Sequence, residues 1–192
     1  MFRSYAATVA HYRALQSGAH RITEDAFEGS GLLPAPLTLR FYDARAEDAW
    51  RATWRLYRHP AGGGGWPWPL IMQTRWRRPS AFRLAIWSGP TLCRLAIGHP
   101  SKRTSGGQRS FVSLEMMEGA PFVHPLRGSV ARVTALFAET YCTLLGGSRV
   151  RLIAPAPGLL GWYMLLGFRP VYRNTRPIHS EREVQDGKAE HA

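Results

Sequence analysis

The chain reads as an α/β protein. Three observations place it in that class: an alternating strand followed by an amphipathic helix within residues 37–57, two apolar runs joined by a hairpin signal within residues 82–97, and a helix, strand, helix, strand succession within residues 129–172. Its 192 residues, 45% of them hydrophobic, suit one folded domain with a sizeable core. Three parts are expected: a helical extension over 1–36, a folded domain over 37–174 and a polar tail over 175–192.

The extension rests on the helical composition of Ala6 to Gln16, broken at Gly29–Gly31 and followed by the stiff pair Pro34 and Pro36. Leu37, Leu39 and Phe41 alternate with Thr38, Arg40 and Tyr42, as a half-buried strand does. Asp43 then offers an N-cap, and Ala49, Trp50, Trp54 and Tyr57 recur at helical spacing. Gly62 to Gly65 are followed directly by Trp66-Pro67-Trp68-Pro69. Glycines loosen a chain, and tryptophans beside prolines make rigid apolar surfaces. This segment is either a mobile aromatic lid or a loop whose tryptophans tuck onto the core.

Phe82 to Trp87 and Thr91 to Ile97 flank Ser88-Gly89-Pro90, a hairpin signal. Ser101 to Gln108 is a polar loop, and Phe111 to Met117 a further strand that ends at Glu118-Gly119. Val130, Val133, Phe137, Tyr141 and Leu144 form one apolar stripe, so Ser129 to Leu145 is a helix, stopped by Gly146-Gly147. Arg149 to Ala154 is a strand. A turn over Pro155 to Gly158 leads into a short apolar helix that carries Tyr163 and closes at Gly167, and Phe168 to Tyr172 is another strand. Beyond Thr175 large apolar groups are few, which predicts a frayed tail.

Composition excludes several classes. No apolar run reaches the roughly 18 residues that a membrane span needs, and the N-terminus lacks the apolar core of a secretory signal, so no membrane partner and a cytoplasmic location are expected. Cys93 and Cys142 sit in apolar contexts without metal or redox spacing, and read as core. No metal site is expected. No His-Glu-x-x-His, Gly-x-Ser-x-Gly or Walker-type element occurs. The net charge of +12 favours anionic partners, but all of the 25 basic residues except Lys102 and Lys188 are arginine, a skew that a GC-rich genome also produces.

The succession from Ser129 to Tyr172, with Tyr163, Leu166, Gly167 and Phe168 standing as Tyr-x-x-Leu-Gly-Phe, resembles the C-terminal half of the GNAT superfamily, the acyl-CoA-dependent N-acyltransferases. The opening strand and amphipathic helix also resemble the start of such a domain. The resemblance implies a mixed, mostly antiparallel sheet flanked by helices. It also implies direct transfer of an acetyl or other short acyl group from acetyl-CoA, or another acyl-CoA, to an amine. An alternative of another class is a catalytically degenerate module of this shape, holding nucleic acid or an acidic partner through its basic surface. The amine could also be carried by a tRNA, and a homodimer is open.

The start of the Ser129 helix, with its unpaired N–H groups and positive dipole end, is the candidate pyrophosphate site. It draws in Arg127, Gly128, Ser129, Val130, Ala131 and Arg132. The family pattern, Arg or Gln, two residues, Gly, one residue, then Gly or Ala, is met poorly: anchored on Arg127, it puts Val130 and Arg132 where small residues are expected. Met116 and Met117, on the strand that would flank the thioester, complete the cofactor set.

Tyr163 is the candidate general acid. A phenol near pKa 10 gives its proton to a departing thiolate near 8.5 about 2 kcal/mol uphill, within reach of a positioned donor; the alternative is a Tyr163 that only packs between Trp162 and Leu166. The Asn that many members of the family carry about seven residues earlier is replaced by Ala156. Glu115 and Glu118 are the candidate bases, since an alkyl ammonium must lose a proton before it can attack. Strand alternation sets Glu115 opposite Leu114 and Met116, towards the cleft or the solvent. His99 and His124 are candidate proton relays. Trp66 and Trp68 are the candidate acceptor contacts.

Overall fold

Seven strands build one sheet in the order β1-β2-β3-β4-β5-β7-β6. They are β1 (Thr38–Phe41), β2 (Phe82–Ser88), β3 (Thr91–Pro100), β4 (Phe111–Gly119), β5 (Arg149–Ile153), β6 (Arg169–Arg173) and β7 (Arg176–Glu183). Only the β4–β5 pair is parallel; the other neighbours run antiparallel, so the sheet is mixed and mostly antiparallel as expected. Among the described residues five α-helices flank it: α1 (Tyr5–Phe27), α2 (Ala44–Ala52), α3 (Trp68–Thr74), α4 (Val130–Leu144) and α5 (Leu160–Leu165). The computed structural model describes residues 4–57, 64–74, 78–101, 111–173 and 176–184; Gly62, Gly63 and the predicted loop at 102–108 lie outside them. Among the described residues no helix is long and apolar enough to cross a membrane.

Alternation along the strands sorts the core into two clusters. Leu84, Ile86, Ala96, Val112 and Leu114 face α1, α4 and α5, while Ala85, Trp87, Leu95 and Ile97 face α2 and α3 with Trp54, Trp68 and Met72. The anticipated caps and turns are in place. Asp43 accepts the Ala46 N–H at 2.9 Å at the start of α2. Gly89-Pro90 closes the β2–β3 hairpin, with Gly89 at φ 56. After α4, Gly146 turns left-handed at φ 72 and the Gly147 N–H reaches Cys142 O at 2.9 Å. Both cysteines are buried and free.

Residues 1–36 are more than an appendage. In α1 the buried Tyr12, Gln16, Ala19, His20, Thr23 and Phe27 recur at helical spacing and pack against α4. The Glu24 carboxylate then accepts the Leu39 N–H at 2.5 Å, which fastens α1 to β1.

The predicted frayed tail is corrected over residues 176–184; 185–192 lie outside the described residues. Residues 176–183 form β7, inserted between β5 and β6. Hydrogen-bond ladders on both sides and ion pairs hold it, where apolar side chains are scarce. Glu181 meets Arg151 at 2.5 Å and His179 at 3.0 Å, and Arg182 meets Glu139 on α4 at 2.7 Å.

The β3–β4 ladder carries a bulge. Ile97 pairs with Met116 and Gly98 with Leu114, so Glu115 is the extra residue on β4. A Cβ at Gly98 would stand 2.0 Å from Ser113 O and 2.5 Å from the Phe82 ring. Only glycine allows the strands this approach.

Candidate active site

The parallel pairing of β4 and β5 covers only Phe111–Leu114 and Arg149–Leu152. From Glu115 to Gly119, β4 continues beyond its pairing with β5, beside the bulge. Met116 faces the α2–α3 cluster and Met117 the α4 cluster, so the two predicted cofactor residues bring the backbone, not one shared side-chain surface, to this segment.

Beyond β4 the chain runs through His124 to Ser129 into α4. The Arg127 N–H is taken by His124 O at 3.1 Å and the Ser129 N–H by Leu126 O at 3.0 Å, and the first bond into the helix runs from the Val133 N–H to Ser129 O at 3.1 Å. Ser129, the N-cap, gives no side-chain cap bond. The first-turn amides of Val130, Ala131 and Arg132 therefore face outward at the positive end of the dipole with no side chain competing for them.

The departures from the small-residue pattern are accommodated locally. Val130 buries its side chain in the apolar cluster, away from the loop surface. Gly128 takes φ 86 with open space where a Cβ would lie. Arg127 and Arg132 are exposed beside it. A groove of about 830 Å³ between the end of α1, α4 and the β6–β7 pair meets this region only at Arg132.

Tyr163 comes from α5, whose backbone closes on itself: Tyr163 O accepts the N–H groups of Leu166 and Phe168, each at 3.0 Å, and Gly167 turns at φ 84. That turn is why Leu-Gly-Phe follows the tyrosine. Phe168 meets the phenol ring edge-on at 6.4 Å between centroids. The phenol is 8% exposed, so the surface packing position is not the one it takes. Burial raises its pKa, and the Arg94 guanidinium pulls the other way.

Two of the predicted site residues are placed elsewhere. Glu118, 3% exposed, turns to the α2–α3 face, where its carboxylate takes the Gly65 N–H at 2.7 Å and the Trp68 indole N–H at 2.5 Å. A carboxylate holding two donors at once is a clamp and not a free base. Trp68 is 0% exposed and opens α3, so it is a core residue and not an acceptor contact. Trp66 is half-buried against it, with ring centroids 5.7 Å apart.

Glu115 keeps its candidacy. Its Oε1 lies 3.3 Å from His99 Nδ1. His99 follows Ile97 by two on β3, on the face opposite Tyr163.

Sequence reasoning missed Arg94. It lies on β3 opposite Gly119 of β4 and Ile86 of β2, on the α4 face, at 7% exposure, and its Nε has no hydrogen-bond partner. Burial works against its charge. His124 is buried nearby; desolvation, then the charges of Arg127 and Arg94, lower its pKa. The available signal was a single arginine inside the apolar run Leu92-Cys93-Arg94-Leu95-Ala96-Ile97.

No family model matches the sequence, and no curated protein matches it either. Solved structures do match. A protein of Bacillus halodurans described as uncharacterized aligns at TM-score 0.56 and 9% identity over 77% of this chain and 83% of its own. Mycobacterium smegmatis RimJ, solved in complex with CoA-disulfide, aligns at 0.54 and 14% identity over 83% and 87%. A GNAT-family acetyltransferase of Listeria monocytogenes aligns at 0.51 and 15% identity over 77% and 94%. At such identities the likeness is one of architecture, and in a divergent sequence this chain has the fold of the GNAT acetyltransferases.

Proposed function

We propose that the protein transfers an acetyl or other short acyl group from acyl-CoA to an amine by direct attack. What supports this reading is the β4 segment left beyond its pairing with β5, together with the uncapped start of α4 and the buried phenol of Tyr163. Exposed Arg127 and Arg132, with the first-turn amides of α4, would hold the pyrophosphate, and the unpartnered Arg94 Nε and outward-facing amides fit an anionic ligand here.

Acyl-CoA supplies an acyl group activated as a thioester. Tyr163, kept protonated by burial, gives its proton to the departing sulfur as the carbon–nitrogen bond forms and the carbon–sulfur bond breaks. Glu115 with His99, on the other face of β4, takes the proton shed by the amine. Water returns that proton to the phenol, so no covalent enzyme intermediate is needed.

Thermal unfolding with acetyl-CoA tests the reading. Ligand at 100 times its Kd should stabilise the fold by about 2.7 kcal/mol. A melting temperature unmoved by millimolar acetyl-CoA and by longer acyl-CoAs would replace this reading with that of a non-catalytic binding module.

A further inference from the structure

Among the described residues Arg94 is a buried cation without a counter-charge. The other deeply buried charged groups have partners: Glu118 holds Gly65 and Trp68, and Glu139 meets Arg182 at 2.7 Å. Among the described residues no carboxylate pairs with Arg94, and its Nε is both buried and unbonded. A guanidinium stays protonated even when desolvated, so it is a standing cation in an apolar wall. Buried charges are normally paired, and an unpaired one marks the place of a charge brought in by a ligand.

Its surroundings say which charge. The extra residue in the β2–β3 ladder, Cys93, turns Arg94 onto the α4 face, where its β4 partner, Gly119, sets no side chain beside it although Arg94 is only 7% exposed. Tyr163 and His124, both buried like Arg94, feel its charge. The phosphates of CoA have their own partners in the exposed Arg127, Arg132 and the α4 amides, at the solvent end of the site. An anion held beside Tyr163 lies at the reacting end. The acceptor side, with Glu115 and His99, is across β4.

We propose that Arg94 receives a carboxylate on the acyl group itself, so that the preferred donor is a dicarboxylic acyl-CoA such as succinyl-CoA rather than acetyl-CoA. A planar carboxylate matches the guanidinium fork, which an acetyl methyl cannot engage. The inference rests on the acyl-transfer reading above.

Calorimetric titration of the full chain with CoA, acetyl-CoA and succinyl-CoA tests it. The wild type should bind succinyl-CoA at least about 10-fold more tightly than acetyl-CoA, Arg94→Met should erase that preference, and CoA affinity should stay within about 2-fold. Arg94→Lys should keep part of the preference. Equal wild-type affinities for the two thioesters overturn the carboxylate assignment, and this comparison decides even if Arg94→Met does not fold. An Arg94→Met variant that weakens all three ligands alike assigns the guanidinium to the phosphates and overturns it too. Failure of the wild type to bind CoA in any form would instead remove the acyl-transfer reading on which it rests.

Discussion

Trp68 donates its indole N–H to Glu118 at 2.5 Å, and the same carboxylate holds the Gly65 N–H at 2.7 Å. The end of the glycine run is thereby tied to β4, 53 residues further along the chain. The tie fixes Gly65 and sets Trp68 in the core.

Trp68→Ala should destabilise the fold by about 3–5 kcal/mol, and Glu118→Ala by about 1–3 kcal/mol, because the second leaves a buried indole N–H unpaired. Urea unfolding of each variant measures this. A Trp68→Ala protein as stable as wild type, with only its acceptor KM raised, would restore the lid.

Tyr163→Phe should lower kcat by about 10- to 1000-fold while acyl-CoA affinity holds. Loss of the phenol proton, whose pKa burial raises, should give the wild-type rate an alkaline limb, and that limb should vanish in the variant. Unchanged turnover would leave the phenol a packing group.

Gly98→Ala should be among the most damaging single substitutions, at about 4 kcal/mol or more, since the new methyl would stand 2.0 Å from Ser113 O. Chemical denaturation is the check. A loss under about 1 kcal/mol would show that β3 and β4 can part at the bulge without harm.

His20, packed against Phe41 and Phe137, has its pKa lowered by burial from 6.5 to about 4. The unfolded imidazole takes a proton near 6.5 and the folded one only near 4, so between these values the unfolded chain binds more protons. Stability is intact above pH 6.5 and should fall by about 3 kcal/mol as pH drops towards 4. Comparing pH 7 with pH 4 in wild type and His20→Leu isolates this effect; an equal loss in both would assign the acid sensitivity to other groups.

Local chemistry was legible where one residue type does one job. Asp43 as a cap, Gly89-Pro90 as a turn, Gly146-Gly147 as a stop and the stripe from Val130 to Tyr141 each stand where the residues place them. Long-range compensation was not. β7 is made stable by its neighbours' backbones and by Arg151 and Arg182, not by its own hydrophobicity. α3 was hidden because Pro67 and Pro69 look like loop residues, although a proline fits the first turn of a helix, where its missing N–H is not needed. The helix and glycine turn around Tyr163 stand where its own neighbours place them. The fates of Glu118 and Arg94 depended on which face of the sheet each would meet, and a bulge on each side of β3 shifts that parity.

The pairing of α1 with α4 also sets a timetable for synthesis. Tyr12, Ala19 and Phe27 emerge from the ribosome about 100 residues before Val133, Phe137 and Tyr141, the helix they must cover. At about 5–20 residues per second, the apolar stripe of α1 waits on the order of 10 s for its partner. During that interval the nascent chain presents a sticky amphipathic helix to whatever waits at the exit tunnel, so output in cells should depend on holding chaperones more than the stability of the finished fold would suggest.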